Sequence, residues 1–224
     1  MGAVTFHAHP ASLLAPEREP EALTRLDDKI ALLLAAGADF VVVLTLSRRL
    51  LGLTPTQFVD SHLVAGLGVR AVVVGPNFRF GRGASGDPSV LSALGDASGF
   101  DVAVPDLIHR EDGVVSSTRI RAELKAGELQ AAASLLGRCH FVRARVVATR
   151  GTHLTLSLPK GVASPVEGTF LGAVSPARAN VLPGLGAPYV LRLADRQVHA
   201  VPTTERMFPC FEAMQAAVRF ISVT

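Results

Sequence analysis

Phe40-Val41-Val42-Val43-Leu44-Thr45-Leu46 decides the fold class. A continuous apolar, β-branched run of this kind is expected of a strand covered on both faces, as in a parallel sheet. On its N-terminal side, Leu23, Leu26, Ile30, Leu33 and Leu34 fall at near-helical spacing, which predicts a helix over residues 21–36 ended by Gly37. Before that lie a short apolar strand at residues 3–6 and a proline-rich loop from Pro10 to Pro20. On the C-terminal side, Thr54 as cap and Pro55 as first helical residue open a helix running to residue 67. Residues 69–74 read as a second buried strand ending at Gly75, residues 89–98 as a helix and 100–104 as a strand. A helical pair follows at 118–126 and 128–136, around Gly127. Strands alternating with helices predict an α/β domain with a parallel sheet, whose ligands bind beyond the carboxyl ends of the strands.

Two loops leave such ends. Val114-Val115-Ser116-Ser117-Thr118-Arg119-Ile120-Arg121 is a hydroxyl-rich turn opening a helix. Free N–H groups, the positive end of the helix dipole and nearby guanidinium groups together suit an anion. Arginine matches phosphate because its planar fork donates in pairs and stays charged. The other loop, Gly75-Pro76-Asn77-Phe78-Arg79-Phe80-Gly81, lets backbone and aromatic rings approach a nucleotide closely. Each motif alone also fits a capped, solvated turn. Their joint placement after successive strands points to a phosphate or nucleotide site.

Composition fits an ordinary cytosolic enzyme. The 224 residues are 49% hydrophobic, enough for a sizeable core, and the net charge of +3 is too small to argue for nucleic acid or an anionic membrane. Cys139 and Cys210 lie far apart, with neither metal-ligand spacing nor a disulfide framework. The longest apolar run, residues 30–46, is broken by Gly37 and Asp39, so no membrane span is expected. Gly81-Arg82-Gly83 is not followed by the lysine of a Walker loop, and no Ser-His-Asp or Cys-His arrangement can be argued. His62 reads as a partly buried helix residue, and His109-Arg110-Glu111-Asp112 as a charged surface loop.

The segments VTFHAHP, DDKIALLLAAGADFVVVL, LTPTQFVDSHLV, VVVGPNFRFGRGASGD and VVSSTRIRAELKAGELQAAASLLGR appear in the order found in the bacterial FAD synthetase family, over roughly residues 3 to 147. The chain resembles that family: a Rossmann-like FMN adenylyltransferase module followed by a riboflavin kinase barrel. The resemblance implies that Ser117, Thr118 and Arg121 contact ATP phosphates as the catalytic set, with Ser116 among the nucleotide-binding residues. It implies that Gly75, Asn77, Phe78, Phe80 and Gly81 line the nucleotide and flavin cleft and that His9 faces it. ATP, FMN or FAD, and Mg²⁺ are the implied ligands. No resident protein metal site, nucleic-acid partner or membrane is expected.

Departures from the family shape the expectation further. Family members begin with G-x-F-D-G-x-H-x-G-H, whose histidines hold the triphosphate, and no such segment stands here. The chain starts where the family's second strand belongs. Either the true start lies upstream, or this is a paralogue that lost a βα unit at the expense of exposing apolar sheet faces. His7-Ala8 stands where Asp-Pro is usual, so His7 and His9 share a strand face. A metal pair and a ligand-facing histidine beside a solvated one are both open, the second favoured for want of a third ligand.

Residues 139–224 read as a small degenerate β-barrel domain after an adenylyltransferase-like domain at 1–138. Strands are expected at 142–147, 154–158, 169–174, 189–193 and 197–201, with a closing helix at 204–221. Thr155-Leu156-Ser157-Leu158-Pro159 stands where the kinase should carry G-x-P-T-A-N, without its polar pair. Asp195 and Glu205 read as turn and cap residues. The expectation is an FMN adenylyltransferase with kinase activity improbable; the alternative is a catalytically inactive flavin- or nucleotide-binding paralogue.

Overall fold

The computed structural model describes residues 1–110, 113–176, 187–203 and 221–223. Its N-terminal part is mixed α/β with two parallel strand pairs. Gly2–Phe6 lies beside Phe40–Leu44, with Asp39 N–H donating to Met1 O at one end and His7 N–H to Leu44 O at the other, so both run the same way. Ala71–Val73 pairs in parallel with Asp101–Ala103, Val72 opposite Val102. The strands stand where the apolar runs predict them, but not buried on both faces. Phe40 is 55% and Val73 65% exposed, because each strand has one neighbour among the described residues.

Helices form at Leu26–Ala35, Pro88–Ser98, Ser117–Ala126 and Leu129–Leu136, with short turns at Ala11–Leu14 and Arg48–Leu51. The first starts five residues later than its periodicity suggests. At Ala22 the chain instead bridges Val162 in parallel: Ala22 N–H donates to Gly161 O at 2.7 Å and Ala163 N–H to Ala22 O at 2.9 Å. Thr54 caps Pro55–Phe58 through a capping box with Gln57, as the Thr-Pro pair implies. The chain then widens into a π-turn over Val59–Val64, where the Ser61 hydroxyl bonds back to Gln57 O at 2.5 Å.

Toward the C-terminus five antiparallel strands form one sheet, in the order Val142–Arg150, His153–Ser157, Gln197–Pro202, Ala187–Ala194 and Gly168–Pro176. The short strand Ile221–Val223 pairs in parallel with Val142–Ala144 and with Val174–Pro176. All five strands expected before residue 202 are present, and Asp195 sits in a turn with φ 48°. The closing helix expected at 204–221 falls outside the described residues except for Ile221, which begins a strand. Among the described residues no helix is long and apolar enough to cross a membrane.

The chain divides into two compact units. One comprises Met1–Thr5, Pro20–Val42 and Val115–Thr224; the other comprises Phe6–Glu19 and Val43–Val114. The second is built around Phe58, Val59, Phe80, Leu91 and Phe100. The first has a sheet core of residues such as Leu156, Leu191 and Val198, and a helical core around Ile120, Leu124, Ala132 and Leu135.

That first unit also buries ionisable groups. His140 is 4% exposed, and its Nε2–H donates to Ala163 O at 2.9 Å while Nδ1 has no partner. Burial first, and the Arg138 guanidinium second, push its pKa down to about 4 against the partial support of the Ala163 bond. Below pH 6.5 the unfolded chain takes a proton there that the folded chain refuses. Stability is therefore highest above 6.5 and falls as pH drops toward 4, by about 3 kcal/mol in full. Chemical denaturation at pH 7 and pH 4.5 should show this slope, and His140→Gln should flatten it. An unchanged slope in the variant would assign it to other groups.

Candidate functional site

The Ser-Ser-Thr turn opens a helix as its sequence implies, but it follows Gly113–Val114, which pairs antiparallel with His109–Arg110, and not a strand of a parallel pair. Ser116 has extended φ/ψ and its Oγ accepts from Arg119 N–H at 3.2 Å, capping Ser117–Ala126. Ile120 and Leu124 anchor the helix in its core, and Gly127 ends it in the left-handed region at φ 79°. Ser117 and Thr118 are exposed, and as the first two helical residues they have no intrahelical acceptor for their N–H groups. Arg119 turns along the helix to Glu123, 3.8 Å away. Arg121 instead donates its Nε–H to Glu21 O at 2.6 Å. That bond joins residues 100 apart and holds the guanidinium by its inner nitrogen. The anchor was not legible in the sequence, because it needs Glu21 to lie outside the helix expected there.

The Gly75–Gly81 loop belongs to the other unit. Val74 N–H donates to Ala103 O, and Phe78 N–H to Gly75 O at 3.0 Å, so the chain turns immediately after its strand. Asn77 is exposed at the tip. Phe78 stacks on Phe80 with centroids 5.4 Å apart, and Phe80, 7% exposed, packs on Phe58. Phe80 and Gly86 exchange backbone hydrogen bonds of 3.1 and 2.9 Å, which pins the loop's far side. Gly81 has φ 73°, and a Cβ there would stand 2.8 Å from the Pro55 backbone nitrogen, so a side chain is barred twice. Asp87 caps the following helix; hydrogen bonds from Ser89 and then from Val90 N–H hold its carboxyl below the usual range.

His7 and His9 lie in the same unit as that loop, and both rings are fixed through Nδ1. His7 Nδ1 accepts from Leu46 N–H at 3.0 Å, and His9 Nδ1 from Ala11 N–H at 3.1 Å. Each neutral ring therefore carries its proton on Nε2, a donor suited to an anion and ill suited to a metal. No group of three or more His, Cys, Asp or Glu among the described residues could hold a metal ion. Of the candidate residues, His9, Gly75, Asn77, Phe78, Phe80 and Gly81 lie in one unit, and Ser116, Ser117, Thr118 and Arg121 in the other.

The family model for FAD synthetase matches residues 1–119. A bifunctional riboflavin kinase/FMN adenylyltransferase of Escherichia coli K12 is 33% identical over 186 residues, 80% of this chain and 59% of that protein. Its Bacillus subtilis counterpart is 30% identical over 148 residues, 66% of this chain and 46% of that protein. The chain thus spans about three-fifths or less of the length of these curated relatives. A crystal structure described as a macrolide-efflux protein from Streptococcus pneumoniae superposes with TM-score 0.73, covering 92% of this chain and 75% of that one at 22% identity. That likeness concerns the fold alone. With the family model covering more than half of the residues, this chain belongs to the FAD synthetase family.

Proposed function

We propose that the chain is an FMN adenylyltransferase, transferring AMP from ATP to FMN to give FAD and pyrophosphate. The observation that carries the reading is the capped Ser117–Thr118 turn with Arg121 anchored on Glu21 O, in a chain of this family. An oxygen of the FMN phosphate forms the new bond to the α-phosphorus in line as the bond to the β-phosphate oxygen breaks, and pyrophosphate leaves with that electron pair. The protein's part is to position and neutralise. Ser117, Thr118 and Arg121, with Ser116 as cap, receive the β/γ end of ATP. Asn77, Phe78, Gly75 and Gly81 line the nucleotide and flavin, Phe80 supports Phe78 from beneath, and His9 offers Nε2–H to the phosphates. Mg²⁺ would arrive on the nucleotide's own phosphates, since the described residues form no cage for it. No step depends on such a cage.

Arg121→Ala should weaken ATP binding by about 1.5–3 kcal/mol, the range for hydrogen bonds to a charged partner. Calorimetric titration of the folded variant measures this, and unchanged affinity would remove Arg121 from the site. The second reading is an inactive flavin- or nucleotide-binding paralogue. FAD formation from FMN and ATP separates the two.

Riboflavin kinase activity is not expected. In the segment standing for the kinase loop, Leu156 and Leu158 are buried in the sheet core, and the Thr155 hydroxyl lies 3.3 Å from His199 Nδ1. Riboflavin incubated with ATP and Mg²⁺ should yield no FMN above a no-enzyme control. Enzyme-dependent FMN would reverse this reading.

A further inference from the structure

The antiparallel sheet carries a cationic hollow that the adenylyl-transfer reading leaves unused. Along Val142–Arg150 and His153–Ser157, residues alternate between two faces. Val142, Ala144 and Leu156 fill the core, while Arg143, Arg145 and Ser157 stand on the opposite face, Arg145 directly across from Ser157. With Arg25, Pro159 and Lys160 they line a cavity of about 510 Å³. Asp28 is committed to Arg143 at 2.5 Å, so it cancels that one charge. Arg25, Arg145 and Lys160 make no ion pair with any described residue.

The rim is held in place. The Arg196 guanidinium donates to Pro159 O and to Val162 O, Leu158 N–H donates to Arg196 O at 2.8 Å, and Ala22 N–H to Gly161 O. Uncancelled like charges around a fixed concavity concentrate field and draw an anion. Arginine supplies paired donors and lysine a point charge, a set that matches a doubly charged phosphate better than a single carboxylate. The volume falls in the range of small-molecule sites and exceeds what one phosphate fills, with Leu158 and Pro159 offering apolar contact to the remainder. We propose that this cavity binds a small phosphorylated ligand, using no residue of the Ser116–Arg121 turn.

The test uses inorganic pyrophosphate without Mg²⁺, titrated calorimetrically into the whole chain and into four variants. Arg145→Ala/Lys160→Ala should remove a binding phase, weakening it about tenfold or more, as the loss of charged donors implies. That phase should persist in Arg121→Ala and in Arg48→Ala/Arg49→Ala, which removes two exposed charges elsewhere. Arg145→Lys/Lys160→Arg, which keeps both charges, should restore it. Pyrophosphate binding abolished by Arg121→Ala alone would overturn the proposal while supporting the adenylyl-transfer site. Equal weakening by the Arg48/Arg49 pair would overturn it as a net-charge effect. Unchanged binding in folded Arg145→Ala/Lys160→Ala would overturn it outright.

Discussion

Mixed with FMN, ATP and Mg²⁺, the 224-residue chain is expected to make FAD about 10⁴- to 10⁶-fold more slowly than the same chain fitted at its N-terminus with a βα unit bearing H-x-G-H. The magnitude follows from what such donors do: each preorganised donor to transition-state charge is worth about 10²–10³ in rate, and two are supplied together. Binding is expected to suffer far less, because the Ser116 cap and the Arg121–Glu21 anchor that shape the Ser117–Thr118 turn lie wholly within the present chain. ATP affinity and pyrophosphate release, measured on both proteins, separate these effects. Turnover of the shorter chain within tenfold of the longer would defeat the prediction. His7 and His9 would then be the first substitutes to test, since backbone N–H groups at their Nδ1 atoms already set both rings to donate from Nε2. Replacing each by alanine would abolish activity if they have taken that role.

Local chemistry was the legible part of this chain. Thr54-Pro55, Ser116 and Asp87 begin helices because side-chain oxygens satisfy end N–H groups, and Gly99, Gly127 and Gly137 end them because only glycine adopts the left-handed region cheaply. What periodicity could not show was competition from distant backbone. Glu21 to Leu23 has the apolar spacing of a helix, yet Gly161 and Ala163 claim the Ala22 backbone groups. Nor does an apolar run say what covers it. Neither Phe40–Leu44 nor Ala71–Val73 alternates apolar with polar residues. Such continuous apolarity asks for two covered faces, but Phe40 and Val73 remain largely exposed. In the candidate site the residue types were readable, whereas their anchoring was not. Arg121 and Arg119 are two positions apart in one turn, and only the fold decides that one reaches Glu21 O and the other Glu123.

The same dependence on distant partners makes Asp28 the position whose loss should cost most stability. Asp28 is 2% exposed and Arg143 7%, and they meet across 115 residues at 2.5 Å, tying Leu26–Ala35 to Val142–Arg150. Asp28→Asn keeps the shape and removes the charge, leaving a guanidinium buried without its carboxylate, which typically costs about 3–5 kcal/mol. A second cation worsens the outcome. Arg138 is also drawn toward its neutral form by burial, and the Asp28 charge is the first influence opposing that. Loss of a favourable helix-dipole contact adds at most about 1 kcal/mol, and Asp27 in the same first turn retains one. The pair term therefore dominates. Removing both charges with Asp28→Leu/Arg143→Met should be milder than the single change, because Arg143 is then not left as a buried ion without its carboxylate. Urea denaturation of the three proteins at pH 7 decides the matter. If the double variant is as unstable as Asp28→Asn, packing around the helix and not the uncompensated charge sets the cost.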